Sequence, residues 1–451
     1  MADLSLSVAG ALVLLAVAEA ITPAPDTSIS EWVDQGEVIL TERTNTPKPG
    51  PFSFEGVEYI REPLDRMHPD DPASVIPVIG GAQTSKSSIG QLWVAWSIKN
   101  APKSFVIGLP SDGEVLKYND FKLQPIIEDS PALAPKVRPV STKADLGSST
   151  RKKRLYTGAS ILVINLNSPK ELQMISTGNL ILEEVANLQV DVGGRGSPVK
   201  QARERQAAYS VIGSKELMVS TPGRIKTCPI TAAYEGSDQR RYYGKCPACG
   251  DFFCMEPEGF KLKDGTWGPH FLCNCGVGLF DRDRAYWRMN GIWIPTFTAS
   301  DMEANPKPGD FIAASDIERH RSRDCESRQP GYYIWQAMCG FISLDKIVQN
   351  VLTAKTPAEM AALEQQVYGR AYDDVIEAVD WEELHRLRED YQTQTVPAGA
   401  GLLTGFCDVG GDYLQWKVVG WGPGAEWWVV DRGVIQGDTA GDEVWRLLDD
   451  V

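Results

Sequence analysis

The chain has 451 residues and carries 45 Lys plus Arg against 60 Asp plus Glu, a formal net charge of −15. That balance excludes a protein that coats nucleic acid by bulk positive charge, so any contact with DNA has to come from local clusters. The length suits two or three domains, and the apolar and charged fractions are those of a folded globular protein, not a disordered or fibrous one.

The first apolar stretch, Leu4 to Ile21, has no basic flank and is interrupted by Glu19. A secretory leader needs a positive n-region, and a membrane span needs more length, so the stretch reads as a buried or partner-facing N-terminal helix. Thr22 to Pro51 is rich in Pro, Thr and Asp and reads as an arm with one short helix from Ile29. From Val75 to Pro222 apolar runs alternate with helical stretches, predicting strands at Val75–Ile79, Ser104–Leu109, Ser160–Asn165, Asn179–Leu182 and Glu216–Val219. That alternation predicts an α/β fold with a parallel, doubly wound sheet. Two basic clusters fall here, Arg151-Lys152-Lys153-Arg154 and Lys200, Arg203 and Arg205; they fit a DNA-facing surface and a plain solvated face equally.

Tyr234 to Trp293 is aromatic, Cys-rich and turn-rich, like a small inserted ribbon. Ile342 to Arg388 is helical by pattern, with Thr356-Pro357 starting a second helix. Pro397–Gly401 is a hinge, followed by a β meander at Leu402–Cys407, Leu414–Trp421 and Trp427–Val430, and an amphipathic helix from Thr439. The expected divisions are therefore 1–50 (N-terminal helix and arm), 51–235 (α/β core), 236–300 (Cys-rich, ribbon-like insertion), 301–396 (helical linker) and 397–451 (start of a further domain).

Gly80, Gly81, Ala82, Gln83, Thr84, Ser85, Lys86 and Ser87 lie between a strand and a helix. The spacing is that of a P-loop, with Ser85 in place of the second Gly and Pro77 in the preceding strand. In such a loop, backbone N–H groups and a helix N-terminus cradle phosphates. Lys86 would neutralise the β/γ oxygens of ATP and Ser87 would hold Mg²⁺. The plain alternative is a small-residue strand-to-helix turn.

Asn179 to Leu182 is an apolar strand that runs into Glu183 and Glu184. An ATPase needs one acid in the Mg²⁺ shell, here Glu183, and one to polarise the attacking water, here Glu184. Ser220-Thr221-Pro222 ends the next strand and suits a coupling turn that senses the γ-phosphate, although Ser-Thr-Pro is also an ordinary turn. The ordered set of three is far more specific than any one of them.

Five of the nine Cys lie between Cys246 and Cys275. Clustering inside a long chain points to a metal site in a reducing compartment, not to a disulfide scaffold. Cys246, Cys249, Cys273 and Cys275 offer four thiolates for a structural Zn²⁺, with Cys254 and His270 as substitute ligands because the second pair is compressed to Cys-x-Cys. Asp408 ends the first strand after the hinge and suits a nuclease metal, but two-metal hydrolysis needs further carboxylates.

Read together, these residues resemble the large terminase subunit of lambda-like phages, the GpA family. The likeness rests on the Gly-Ala-Gln-x-x-Lys loop, Ser168-Pro169-x-Glu171-Leu172, Ser220-Thr221-Pro222, and Ser237-Asp238-Gln239-Arg240-x-Tyr242 running into Cys246-Pro-x-Cys249-Gly250. Gly420-Trp421-Gly422 and Ile435-x-Gly437-Asp438 extend it past Asp408. The resemblance implies an ASCE-type P-loop ATPase fused to an RNase H-like endonuclease that cuts concatemeric viral DNA and packages it in the host bacterial cytoplasm. Implied partners are double-stranded DNA, a small terminase subunit, the portal protein and other copies in a ring, with no membrane. It also implies that Tyr59 lies near the adenine and that Arg195 or Arg224 could act in trans. Departures are Ser85 for Gly, Glu183 where Asp is commoner, the compressed Cys pair, and Gly410 where Gln is frequent. The family extends beyond Val451, so this polypeptide alone is expected not to cut DNA. A contrasting expectation is a truncated, non-catalytic prophage remnant that binds DNA or partners without turnover.

Overall fold

The computed structural model describes residues 24–140, 147–173, 175–225, 227–263, 267–296, 317, 329–372, 385–386 and 389–449. The Leu4–Ile21 helix lies outside these, as does most of the stretch from 373 to 388. The chain divides into two compact units, Met1–Asp374 and Val375–Val451.

The first unit is built on a seven-stranded sheet. In spatial order its strands are Tyr332–Ile334, Val75–Gly80, Lys215–Ser220, Asn179–Glu183, Phe105–Leu109, Ser160–Asn165 and Lys152–Arg154. All pairs are parallel except the last, so the sheet is mixed, with one antiparallel edge. The central strands are Ile-, Leu- and Val-rich and almost wholly buried, as a sheet covered on both faces requires. Each such side chain removed from water contributes about 1.5–3 kcal/mol.

Pro77 is accommodated by position. The amide of Gly81 donates to Ile334 O, and the two-residue alternation of a strand puts the nitrogen of residue 77 on that same flank. Pairing there begins only at Val78, opposite Tyr332, so the missing N–H costs no ladder bond.

The helix Ser88–Asn100 buries Ile89, Leu92, Trp93, Val94, Ala95, Trp96 and Ile98 against the sheet. Gly90 lets it sit close, since a Cβ there would lie 3.3 Å from Leu217 and 3.4 Å from Ile181. Trp93 meets Phe105 edge-on at 4.7 Å. This packing fixes the N-terminal end of the helix, and the Gly80–Ser87 loop before it, near the strands that end in Glu183 and Ser220.

The Cys-rich part forms two small antiparallel sheets: Phe252–Cys254 with Arg241–Lys245 and Ile292–Ile294, and Phe260–Lys261 with His270–Leu272 and Gly278–Leu279. Buried indoles tie it to the main sheet: Trp335 Nε1 donates to Met255 O, and Trp293 Nε1 to Tyr59 O. Arg240, fully buried, donates to Asp238 at 2.9 Å and Glu62 at 2.5 Å, while Tyr332 donates its hydroxyl to the same Glu62. A buried guanidinium needs such paired carboxylates to offset its desolvation.

Beyond the sheet, helices span Leu344–Thr353 and Pro357–Ala362, the second opened by a capping box between Thr356 and Glu359. It continues as a π-helical turn, Leu363–Tyr368, and stops at Gly369 with φ +68°. The second unit is an antiparallel meander of Leu402–Val409, Tyr413–Trp421 and Trp427–Gln436, followed by a helix at Glu443–Asp449. Its strands expose Leu402, Phe406, Val409, Trp427 and Val434.

Candidate functional site

The loop from Gly80 to Ser87 leaves the C-terminal end of its strand and enters the Ser88–Asn100 helix, at the edge where parallel sheets bind ligands. Gly80 is obligatory for space: a Cβ would stand 2.3 Å from Ile334 O. Ser85 occupies the left-handed region at φ +57°, and Gln83 does so at +59°. The backbone thus keeps at Ser85 the conformation that a second Gly would take freely, at a local cost.

Two of the loop amides are committed to the protein. Gly81 N donates to Ile334 O at 2.9 Å, and Ala82 N to Gln366 O at 2.7 Å. Among the described residues, the amides of Gln83 to Ser87 have no acceptor. This is a nest of free donors at a helix N-terminus.

Lys86 is buried at 6 % exposure, and its Nζ donates to Gly81 O at 2.9 Å. Burial lowers its pKa, opposed by Glu184 and Glu183. Ser87 Oγ donates to Glu183 Oε2 at 2.8 Å, joining loop and acidic strand. Glu183 is 2 % exposed, and burial pushes its carboxyl up to about 8 despite that bond. Its other oxygen, Oε1, is buried with no partner among the described residues.

Glu184 follows in the left-handed region, φ +51°. Its pKa is raised by burial, opposed by Lys86 and by hydrogen bonds from Thr221. A non-Gly residue held there marks a position the surrounding structure over-determines. Ser220 Oγ accepts from Ala186 N at 3.2 Å and donates to Thr221 O at 2.7 Å, so the Ser220–Pro222 turn is stitched to the backbone just past Glu184.

Lys86, Ser87, Glu184 and Thr221 line one cleft of about 1050 Å³, with Glu183 and Ser220 buried behind that lining. Its floor is Ala82 to Ser88, Glu184 and Thr221 to Gly223, and its outer wall includes Asn45 to Lys48, Phe52 and Phe341. Phe341 is 49 % exposed. Tyr59 does not line the cleft. It is fully buried, packs edge-on against Tyr242, and donates its hydroxyl to Thr84 O at 2.9 Å, supporting the loop from beneath. Phe341, which does line it, carries no local sequence signal; the preceding Gly340 N donates to Gly56 O at 2.8 Å.

The basic clusters are divided by the fold. Arg151 pairs with Asp112 and Glu171, Lys153 is buried on Gln124 and Ser149 O, and Arg203 pairs with Glu216. Arg195 and Arg224 are both exposed, Arg195 in a loop whose Gly194 and Gly196 amides donate to Asp191.

Away from the cleft, the Sγ atoms of Cys246, Cys249, Cys273 and Cys275 lie within 4.8 Å of one another. Cys246 and Cys275 are 3.9 Å apart, Cys249 and Cys273 3.7 Å. The substitutes are engaged elsewhere: Cys254 donates to Glu256, and His270 Nδ1 meets Gly268 O. In the second unit, Asp408 is exposed and shares a shallow cavity with Gln415, Lys417 and Arg432. Among the described residues lining that cavity it is the one carboxylate.

Residues 46–293 match the family described as phage terminase large subunit gpA, ATPase domain. Residues 329–451 match terminase large subunit gpA, endonuclease domain. The chain is 24 % identical over 438 residues to the terminase large subunit of Escherichia phage lambda, covering 92 % of this chain and 63 % of that protein. It is 23 % identical over 446 residues to that of Enterobacteria phage P21, covering 95 % and 65 %. It therefore spans a little under two thirds of the length of these relatives. Similar solved structures include the large terminase from a thermophilic bacteriophage in complex with ADP (TM-score 0.37, 13 % identity, 89 % of this chain and 75 % of that one). The HK97 bacteriophage large terminase gives a TM-score of 0.42 at 11 % identity, covering 91 % and 68 %.

Proposed function

The chain belongs to the phage terminase large-subunit gpA family, and from that premise we propose that its first unit hydrolyses ATP to drive double-stranded viral DNA into a capsid. The observation that carries this reading is the bond from Ser87 to Glu183, which ties the phosphate loop to the acidic strand whose next residue, Glu184, lines the same cleft as the loop.

In this reading the open amides of Gln83 to Ser87 take the phosphates, and Lys86 turns from Gly81 O to the β/γ oxygens. The base lies against the outer wall, on Phe341 and Phe52, and Tyr59 acts on the loop rather than on the adenine. Ser87 and Glu183 would hold Mg²⁺; the orphaned, buried Glu183 Oε1 beside the Ser87 hydroxyl supports that fit. The ion would supply charge neutralisation at the phosphates. Glu184 orients and deprotonates the attacking water, and its bonds from Thr221 carry the loss of the γ-phosphate to the Ser220–Pro222 turn.

The four thiols fit a structural Zn²⁺. A tetrahedron with Zn–S of about 2.3 Å has S···S edges of about 3.8 Å, close to the 3.9 and 3.7 Å found. The element would then be a zinc-ribbon-like insertion at about 236–300, following an ATPase core at 51–235. The expected 301–396 linker gives up Tyr332–Ile334 to the main sheet and carries helices from Leu344 onward; 397–451 would be the RNase H-like part with Asp408 as a metal ligand. Partners in this reading are the small terminase subunit, the portal and other copies in a ring in the host cytoplasm. In keeping with this, no helix among the described residues is long and apolar enough to cross a membrane.

The test is ATP hydrolysis by the purified chain with and without double-stranded DNA. DNA-stimulated turnover is expected, falling about 10²–10³-fold in Lys86→Ala and Glu184→Ala. No turnover in a folded, zinc-loaded protein would move the chain to a non-catalytic remnant. Zinc is expected at a single equivalent per chain and lost in Cys246→Ser, as read by elemental analysis.

A further inference from the structure

We propose that the segment Gln366–Tyr372 is a mechanical strap joining the phosphate loop to the Ser220–Pro222 turn, with Gly369 and Arg370 as its positioning residues; this rests on the ATPase reading. None of these residues belongs to the motifs above. The strap begins inside the π-helical turn Leu363–Tyr368, a geometry that is rare and recurs at functional sites.

At its first end the strap and the loop touch backbone to backbone. Gln366 O accepts the Ala82 amide at 2.7 Å, while Gln336 Nε2 donates to Ala82 O at 3.1 Å from the other side. The approach is close enough to demand glycine on both sides. A Cβ on Gly81 would stand 2.7 Å from Gln366 O, and one on Gly369 would stand 2.5 Å from Gly81 N. Gly369 also has φ +68°, so substitution there is strained as well as crowded.

Next, Arg370 closes the helix end through its amide on Glu364 O, 2.8 Å. Its guanidinium grips Glu258, with Nη2 on Oε2 at 2.8 Å, and reaches Glu256 at 3.5 Å. At the far end, Tyr372 N donates to Gly223 O at 3.2 Å, immediately after Pro222. Tyr333, from the strand beside the loop, holds the middle by donating to Tyr368 O at 2.5 Å.

Backbone contacts this short cannot be compressed. Filling the open amides from Gln83 onward therefore either leaves Gly81 and Ala82 fixed, or moves the strap with them. Because Arg370 is fixed on the Cys-rich element, displacement at Gln366 is delivered to Tyr372 and so to Gly223. The coupling turn then feels the nucleotide along two routes: directly through Thr221 and Glu184, and around the outside through the strap.

The experiment is hydrogen exchange of the full chain without nucleotide, with Mg²⁺ and a non-hydrolysable ATP analogue, and with ADP. It is run beside Arg370→Ala, Arg370→Lys and Gly369→Ala. The expected result is that the analogue slows exchange at 82–87, 363–372 and 221–228 together. In Arg370→Ala the loop is still protected, the response at 221–228 is lost, and kcat falls about tenfold with KM little changed. Arg370→Lys restores part of both. Gly369→Ala is expected to raise KM as well, since it also displaces the loop.

A loop that responds while 363–372 stays indifferent overturns the strap, as does an unchanged turn response in Arg370→Ala. Absence of any protection at 82–87 in the unmodified chain overturns the nucleotide reading, and the strap with it. The two failures are thus told apart.

Discussion

The phosphate cleft and the Asp408 sheet both present a carboxylate near the C-terminal end of a strand, but in opposite surroundings. Glu183 is buried, bonded to Ser87, and held by a loop, a coupling turn and a helix drawn from across Tyr59 to Gln366. Asp408 is exposed on a local meander, and the groups sharing its cavity include Lys417 and Arg432 but no second acid among the described residues. The contrast separates a residue from a site. A carboxylate becomes chemically useful when distant segments converge to desolvate it, partner it and give it something to act with.

The comparison breaks most decisively on turnover. Glu184→Ala is expected to lower ATP hydrolysis by about 10²–10³-fold, while Asp408→Ala leaves it unchanged. A comparable loss in both, by steady-state kinetics, would erase the distinction. Cleavage of supercoiled DNA by this chain with Mg²⁺ or Mn²⁺ is expected at background, because two-metal hydrolysis needs more carboxylates than Asp408 brings to its cavity. Nicking abolished by Asp408→Ala would overturn that.

A smaller effect reads the burial of Glu183 through pH. In metal- and nucleotide-free protein, burial raises the Glu183 carboxyl to about 8 from its ordinary 4.5. Between those values the folded state binds the proton and the unfolded state does not. Stability from this group is therefore full below about pH 4.5 and is lost as pH rises through about 8, amounting to at most a few kcal/mol. Glu183→Gln, which resembles the protonated acid, should remove that slope in denaturant melts while abolishing Mg²⁺-dependent nucleotide binding. A slope that survives Glu183→Gln would place its origin elsewhere.

What was legible in the sequence follows the same divide. The five expected strands of the main sheet lie within one residue of the observed bounds, because each is a short apolar run bounded by polar or turn residues. The Thr356-Pro357 helix start was legible from a Thr followed by Pro at the first helical position, and the structure adds a capping box with Glu359. The strands Lys152–Arg154 and Tyr332–Ile334 were not. The first reads as a charge cluster, and the second is three residues long and reaches the sheet only after the whole Cys-rich element. At the cleft, Lys86, Ser87, Glu183 and Glu184 were legible as candidates because their chemistry is in the side chain, and the fold brings the loop and the acidic strand together. Tyr59 was assigned to the adenine, yet it faces the loop from below. The strap was invisible, because its contacts are backbone bonds and only Gly369 leaves a trace.

The smallest effects test whether the strain belongs to the cleft alone. Ser85 holds φ +57° where a Gly would sit freely, and the left-handed region costs a non-Gly residue about 1–2 kcal/mol. Ser85→Gly is therefore expected to stabilise the first unit, by about 1 kcal/mol after the extra freedom of Gly in the unfolded chain is counted. Asp408→Asn should change the melting of the second unit by less than about 0.5 kcal/mol, since an exposed carboxylate makes no buried contact whose loss would cost more. If Ser85→Gly destabilises instead, the Ser85 side chain makes a contact that outweighs its backbone strain, and the loop is built for Ser and not merely tolerant of it. If Asp408→Asn shifts melting by more than about 1 kcal/mol, Asp408 is held by partners in solution, and the sheet around it is as organised as the cleft.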